Sequence, residues 1–327
     1  MTMTLSQSDP KPKPEPNPQS DAKSLNILCA GECMVELRSE GDVYHRGFAG
    51  DVINFGIYLK RLVPDATVNL LSAIGSDSLS HEMRAFLEQE GINTELVFTS
   101  PDKTVGLYMV HTDAAGERTF SYWRSDSAAR HMLALSKNTP LDEMTGNTDY
   151  FYFSGITLAI LDQPGREQLF ALTEQYRRLG KTIIFDPNFR ARLWPSHEQA
   201  LAQIERCYGL CNILLSSVED EQLLWGSSTK ENTMKRLANY PIDEIILTNG
   251  PAEISAYDRG RQFQIQPIKA GKVVDTTSAG DAFNAGYIGA RHAGYSTEES
   301  IEKASGLASV VIGLPGAIIP TSRMSGP

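Results

Sequence analysis

The sequence predicts an α/β fold: a doubly wound, mostly parallel sheet with helices on both faces, carrying a small β-sheet lid. Three observations lead there. From Asp149 onward, short apolar runs alternate with amphipathic helical stretches, the pattern of repeated strand–helix–strand units. Between Thr104 and Arg124 two strands alternate rather than run apolar, as in a half-exposed antiparallel hairpin, which has no place inside a sheet covered on both faces. Near the end, Val274 to Phe283 is a tight loop of small residues that runs directly into a helix.

The elements follow in order. Residues 1–24 are polar and carry Pro10, Pro12, Pro14, Pro16 and Pro18, so neither helix nor paired strand is expected, only a disordered tail of extended character. Leu25 to Ala30 is a buried first strand. Gly31 to Leu37 continues it with alternation, and with Tyr44 to Phe48 it is assigned to the lid, whose strands span about 33–48 and 103–125. From Asp51, the spacing of Ile53, Ile57, Leu59 and Leu62 predicts a helix, with Gly50 and Asn54 at its opening turn. Thr67 to Ala73 reads as a strand and Ser80 to Glu90 as a helix stopped by Gly91. Thr104 to His111 and Arg118 to Arg124 form the lid hairpin across Asp113 to Glu117.

Beyond Asp149, strands at Tyr150–Phe153, Thr182–Phe185, Ile213–Leu215 and Glu244–Leu247 alternate with helices at 163–179, 196–208, 219–224 and 231–239. A late hairpin turns at Arg259-Gly260. Ala282 to Ala293 is a helix with Gly286 and Gly289 for close packing. Ser296-Thr-Glu-Glu299 is a capping box before the last helix, which ends at Val311. The folded body thus spans residues 25–322, and 323–327 is a short tail.

Composition narrows the function. A formal net charge of -10 argues against nucleic acid as a partner. No apolar run reaches the length of a membrane span, and the first residues lack the apolar core of a signal peptide. The four cysteines, Cys29, Cys33, Cys207 and Cys211, have no zinc-site spacing and read as buried thiols of a cytoplasmic protein.

In a doubly wound sheet, ligands bind beyond the carboxyl ends of the strands. Four loops with suitable chemistry fall there: Asp186 to Arg190, Ser216 to Glu221, Thr248 to Gly250, and the loop from Asp275 to Asp281. In the last, small residues let backbone N–H groups converge at a helix N-terminus, where the macrodipole favours an anion. A carboxylate beside a bound anion makes sense as a general base, so Asp281 is expected to take a proton from an alcohol while the neighbouring amides hold phosphate oxygens. The acidic start at Ser216 to Glu221 suits a Mg²⁺–phosphate site. There is no G-x-x-x-x-G-K-S/T, which excludes a P-loop kinase. The G-x-G-x-x-G of a nicotinamide dehydrogenase is absent after the first strand.

The stretch Asp275-Thr-Thr-Ser-Ala-Gly-Asp281 resembles the C-terminal signature of the ribokinase-like (PfkB) carbohydrate kinases. Gly31 to Leu37, Arg46 to Asp51, Gly116 to Arg124, Ser154 to Ile160, Asp186 to Trp194 and Gly316 to Pro320 extend the similarity over nearly all of Asn26 to Pro320. The resemblance implies transfer of phosphate from ATP, with Mg²⁺, to the 6-hydroxyl of 2-keto-3-deoxy-D-gluconate. It implies that Asp281 is the base and that the amides of Ser278, Ala279 and Gly280 form the anion hole. Gly50, Asp51 and Asn54 would hold substrate hydroxyls, and Tyr108, Tyr122, Arg124 and Arg190 would face the keto-acid end. A carboxylate substrate calls for a cation, and arginine offers planar, bidentate recognition. Asn188, Ser217, Thr248, Gly250, Thr276 and Gly280 are expected at the nucleotide. Asp220 or Glu221 is expected at the metal, through water, and a monovalent cation is left open. The family pattern also implies a homo-oligomer built through the lid sheet.

The sequence departs from the pattern at several positions. Ala49-Gly50 stands where the family has Gly-Gly, and Ser278 replaces the first glycine of its G-A-G-D. Ser217-Val-Glu-Asp220, followed by Glu221, replaces its N-x-x-E, and the glycine expected after Gly250 is missing. Three alternatives stay open: a fructokinase or ribokinase type of sugar kinase, an inactive sugar- or nucleotide-sensing relative, and a Rossmann-type oxidoreductase.

Overall fold

The computed structural model describes residues 24–112, 118–141, 148–226 and 229–324. The proline-rich tail of 1–23, the hairpin loop of 113–117 and the last residues 325–327 lie outside the described residues.

A ten-stranded sheet forms the body, in the order β14-β13-β12-β11-β10-β9-β1-β4-β5, with β6 also paired to β4. Its strands are β1 (Asn26–Ala30), β4 (Thr67–Ile74), β5 (Ile92–Asn93), β6 (Val97–Thr99), β9 (Tyr150–Ser154), β10 (Thr182–Asp186), β11 (Ile213–Ser217), β12 (Glu244–Thr248), β13 (Ile254–Asp258) and β14 (Arg261–Ile265). Pairing is parallel from β5 to β12 and antiparallel only through the late hairpin, β13 and β14. The central strands are buried on both faces, which explains their unbroken Ile, Leu and Phe content. One apolar core lies on each face.

Helix α1 (Asp51–Leu62) packs on one face beside α9 (Ala279–His292) and α10 (Thr297–Val311). The other face carries α5 (Gln163–Arg178) and α6 (His197–Tyr208). The remaining helices are α2 (Ser78–Gln89) and the shorter α3 (Met132–Leu135), α4 (Gly155–Ile160), α7 (Val218–Trp225) and α8 (Lys230–Leu237). Gly286 has the close-packing role read from the sequence: a Cβ there would stand 2.9 Å from the Ala304 Cα of α10. Both halves of the Ser296–Glu299 capping box are formed.

The lid is a separate four-stranded sheet in the order β3-β2-β7-β8, made of β2 (Met34–Glu40), β3 (Val43–Ala49), β7 (Gly106–Thr112) and β8 (Arg118–Trp123). Its two hairpins are antiparallel, but β2 and β7 pair in parallel across a long stretch of intervening chain. That pairing is non-local and leaves no mark in either strand's own residues. Also unread were β5, β6, α3 and α4, which are too short to show a period. No helix among the described residues is long and apolar enough to cross a membrane.

Candidate active site

The site lies at the carboxyl edge of the parallel strands, where Asp186 ends β10, Ser217 ends β11 and Thr248 ends β12, with Ser217 and Thr248 in register. The order reverses between β9 and β1, and α1 and α9 begin over this edge.

Asparagine–carboxylate bonds stitch these elements together. Asn54 Nδ2 of α1 donates to Asp281 Oδ2 of α9 at 2.8 Å. Asn188 Nδ2, from the loop after β10, donates to Asp51 Oδ2 at 2.9 Å, and Asn284 Nδ2 of α9 donates to Asp186 Oδ2 at 2.9 Å. Asn188 has a φ of 33°, a left-handed conformation that asparagine accepts more readily than most residues. Phe189 N–H donates to Asp220 Oδ1 at 2.9 Å, tying this loop to the start of α7. Asp186, Asp220 and Asp281 are all buried.

Burial, and then the charge of Asp51, push the Asp281 carboxyl up to about 7, with the Asn54 hydrogen bond offsetting part of the rise. A carboxylate so placed can hold or release a proton near neutrality, as a general base must. Asp186 is also shifted upward, chiefly by burial and then by Asp220. Asp220 is raised by burial against the opposing Ser217 and Arg190 interactions.

Ser278 caps α9 from the left-handed region at φ 64°, with no side-chain cap bond. The departure from glycine is therefore accommodated at a conformation that disfavours a side chain. A Cβ on Gly280 would meet nothing within 4 Å, so open space lies before the loop. The expected anion hole is modified at Ala279, whose N–H donates to the Thr276 carbonyl at 3.3 Å and helps close the turn. Asp275 fixes the loop from behind, accepting from Thr277 N–H at 2.8 Å and Gly316 N–H at 2.9 Å. Thr276 is exposed on this loop, and Gly250 turns with φ 54° into open space. Thr248 Oγ1 donates to the Ser216 carbonyl at 3.2 Å.

Several expected residues have roles the sequence did not reveal. A Cβ on Gly50 would lie 2.2 Å from the Glu32 carbonyl, so this glycine is required by the chain's own backbone. Glu221 is taken up by Tyr208 at 2.6 Å, Ser216 at 2.7 Å and Arg236, and so stands apart from Asp220 as a metal candidate. Tyr108 is buried and its hydroxyl donates to Glu36 at 2.5 Å. Its ring stacks on Tyr122, its cross-strand partner, at 5.7 Å. Arg124 is buried and ion-paired with Glu32, whose other oxygen accepts from Ser127. Arg190 stays half-exposed, 3.8 Å from Asp220, with its NH1 donating to the Phe189 carbonyl at 2.8 Å.

Residues missed in the sequence include Asn284, which only helical phase could have brought beside Asp186, and Glu32, hidden in a strand-like stretch. Glu244 was read simply as the start of a strand. It accepts from Tyr287 at 2.5 Å and Arg291 at 2.6 Å, anchoring the far half of α9 to β12.

This fold and this edge of carboxylates define a sugar kinase of ribokinase type. The model of the pfkB family of carbohydrate kinases matches residues 24–324, and the chain belongs to that family. Within it, the chain is similar to the 2-dehydro-3-deoxygluconokinase of Dickeya dadantii, at 39% identity with 91% of this chain and 98% of that protein covered. The enzyme of the same name from Escherichia coli strain K12 is 37% identical, over 92% and 99% of the two chains. Among solved structures, a ribokinase II of E. coli in complex with ATP and Mg²⁺ superposes with a TM-score of 0.76 at 19% identity, over 90% and 94%.

Proposed function

We propose that the chain phosphorylates 2-keto-3-deoxy-D-gluconate at its 6-hydroxyl, using ATP, to give 2-keto-3-deoxy-6-phosphogluconate. The observation that carries the chemistry is Asp281: a buried carboxylate with a pKa near neutrality, held by Asn54 at the head of a helix that opens on a small-residue loop. The choice of acceptor is supported by near full-length relatives that bear that activity in their names.

In this reading Asn54 fixes one oxygen of Asp281 and leaves the other to take the proton of the acceptor hydroxyl. Asp51 keeps the base's affinity for a proton high enough for that transfer, and with Asn54 it meets the sugar hydroxyls. The backbone at Ser278 and Gly280, with the positive end of α9, holds the phosphate oxygens. Asn188, Ser217, Thr248, Gly250 and Thr276 border the nucleotide. Arg190, the more exposed of the two expected cations, meets the substrate carboxylate beneath the lid's Tyr108 and Tyr122. Arg124 supports that corner through Glu32.

The donor set fits a Mg²⁺ ion held through water. Among the described residues, Asp220 accepts one hydrogen bond at each oxygen, from Phe189 N–H and Ser217 Oγ, and so keeps lone pairs for bound water. When bound, the ion would neutralise charge on the nucleotide's phosphates. A homo-oligomer through the lid belongs to the same reading, supported by exposed Val43, Tyr44, Phe120 and Trp123 on that sheet. So does a cytoplasmic setting.

The test is a kinase assay with ATP and Mg²⁺, with and without a monovalent cation, over a panel of sugars and sugar acids, alongside light scattering for the assembly. Preference for fructose or ribose would overturn the acceptor and leave the kinase chemistry. ATP turnover on none of them would favour a sensing relative.

A further inference from the structure

The loop after β10 carries a second arginine that the site just described does not use. Arg192 lies in a 3₁₀ turn, Ala191–Leu193, immediately after Arg190. Its guanidinium sits over the ring of Tyr122, 3.8 Å from the centroid. Arg192 belongs to the body and Tyr122 to β8 of the lid, so the contact crosses the seam between them. Tyr122 stacks in turn on Tyr108 of β7, whose hydroxyl is held by Glu36 of β2. A continuous column thus runs from the body through three of the lid's four strands.

Both ends of the column are held. On the body side, Leu193 N–H donates to the Arg190 carbonyl at 2.9 Å and Trp194 N–H to the Ala191 carbonyl at 3.1 Å. Trp194 is buried beside the Arg166 guanidinium, which lies 5.2 Å from its ring centroid. On the lid side, Tyr108 is buried. Among the described residues no carboxylate pairs with Arg192, whereas Arg124 has Glu32 and Arg190 lies near Asp220. The Arg192 charge is directed instead at the face of an aromatic ring, where a planar guanidinium both stacks and meets the negative quadrupole.

We propose that Arg192 is a positioning residue, a latch that holds the lid's tyrosine pair against the body and so sets how tightly the acceptor is enclosed, while touching no reacting atom. The effect on acceptor affinity rests on the kinase reading above. The latch itself can be measured without substrate.

The experiment is amide hydrogen exchange of β7 and β8 in the unliganded protein, for the wild type, Arg192→Leu, Arg192→Lys, Tyr122→Leu and the Arg192→Leu/Tyr122→Leu pair. An exposed cation–π contact predicts lid exchange about two- to five-fold faster in Arg192→Leu, with β10 and β11 unchanged. Lysine, a compact charge without the planar stack, should recover only part of the protection. In the Tyr122→Leu background, Arg192→Leu should add nothing. In turnover, Arg192→Leu should raise acceptor KM by a similar factor with kcat nearly unchanged. Wild-type lid exchange in Arg192→Leu, or the same acceleration with and without the Tyr122 ring, would overturn the latch. A KM effect confined to acidic acceptors with lid exchange intact would also overturn it, making Arg192 a carboxylate contact. Absence of kinase activity would remove the functional reading and leave the exchange result to stand or fall alone.

Discussion

Replacing Asp281 by asparagine keeps the side chain's shape and removes its ability to accept a proton. Asn54 Nδ2, 2.8 Å from Oδ2, can still donate to the amide oxygen, so acceptor KM should change little. A positioned general base contributes about 10²- to 10⁴-fold, so kcat should fall by that range, about 2.7–5.4 kcal/mol of barrier. Burial and the Asp51 charge place the wild-type carboxyl at about 7. A general base at this position acts in its ionised form, so kcat/KM should rise about tenfold per pH unit below that point and level off above it. Asp51→Asn removes the second cause of the rise and should move the acid limb to lower pH. Stability runs the other way. Asp281 binds its proton more tightly folded than unfolded, so its contribution falls as pH rises from about 4 to about 7. Asp281→Asn lacks that penalty, and its Tm relative to wild type should be higher at pH 8 than at pH 5. The assay is steady-state phosphorylation of 2-keto-3-deoxygluconate from pH 5.5 to 8.5, with melting curves at both pH values. A near-normal kcat in Asp281→Asn, or a flat wild-type profile across pH 6 to 7.5, would refute the assignment of the base.

Arg190→Ala should reduce kcat/KM for the keto acid by about 30-fold or more, the loss expected when one partner of an enclosed charge pair is truncated, and should affect any neutral sugar much less. Equal losses on both would point to a folding defect, which the melting curve reports. Arg124→Ala should instead act on stability, because it strands the buried Glu32 carboxylate, at about 3–5 kcal/mol by denaturant titration. Adding Glu32→Gln should recover part of that loss. Asp220→Asn should raise the Mg²⁺ concentration needed for half-maximal rate about tenfold, while Glu221→Gln should lower Tm and leave that concentration unchanged, since Glu221 is held by Tyr208, Ser216 and Arg236.

The alternation of apolar strands and helices from Asp149 onward was enough to determine the parallel body, because strand and helix periods are local properties of the chain. The loop from Asp275 to Asp281 likewise declared a helix start suited to an anion, since capping and small-residue geometry act within a few residues. What tertiary structure alone decided is the pairing of charges across distance. Arg124 reads as a strand-end cation until Glu32 is found beside it, 92 positions earlier in the chain. Glu221 and Asp220 are adjacent in an acidic run, but one is enclosed by Arg236 and the other faces the site, because neighbouring residues on a helix point about 100° apart. The β2–β7 pairing that assembles the lid, and the Arg192–Tyr122 contact that joins it to the body, depend on which surfaces meet once the sheet has formed. Local sequence sets the period and the ends of each element; only the folded chain brings together side chains from distant elements and so decides which charges are neutralised and which remain for a ligand.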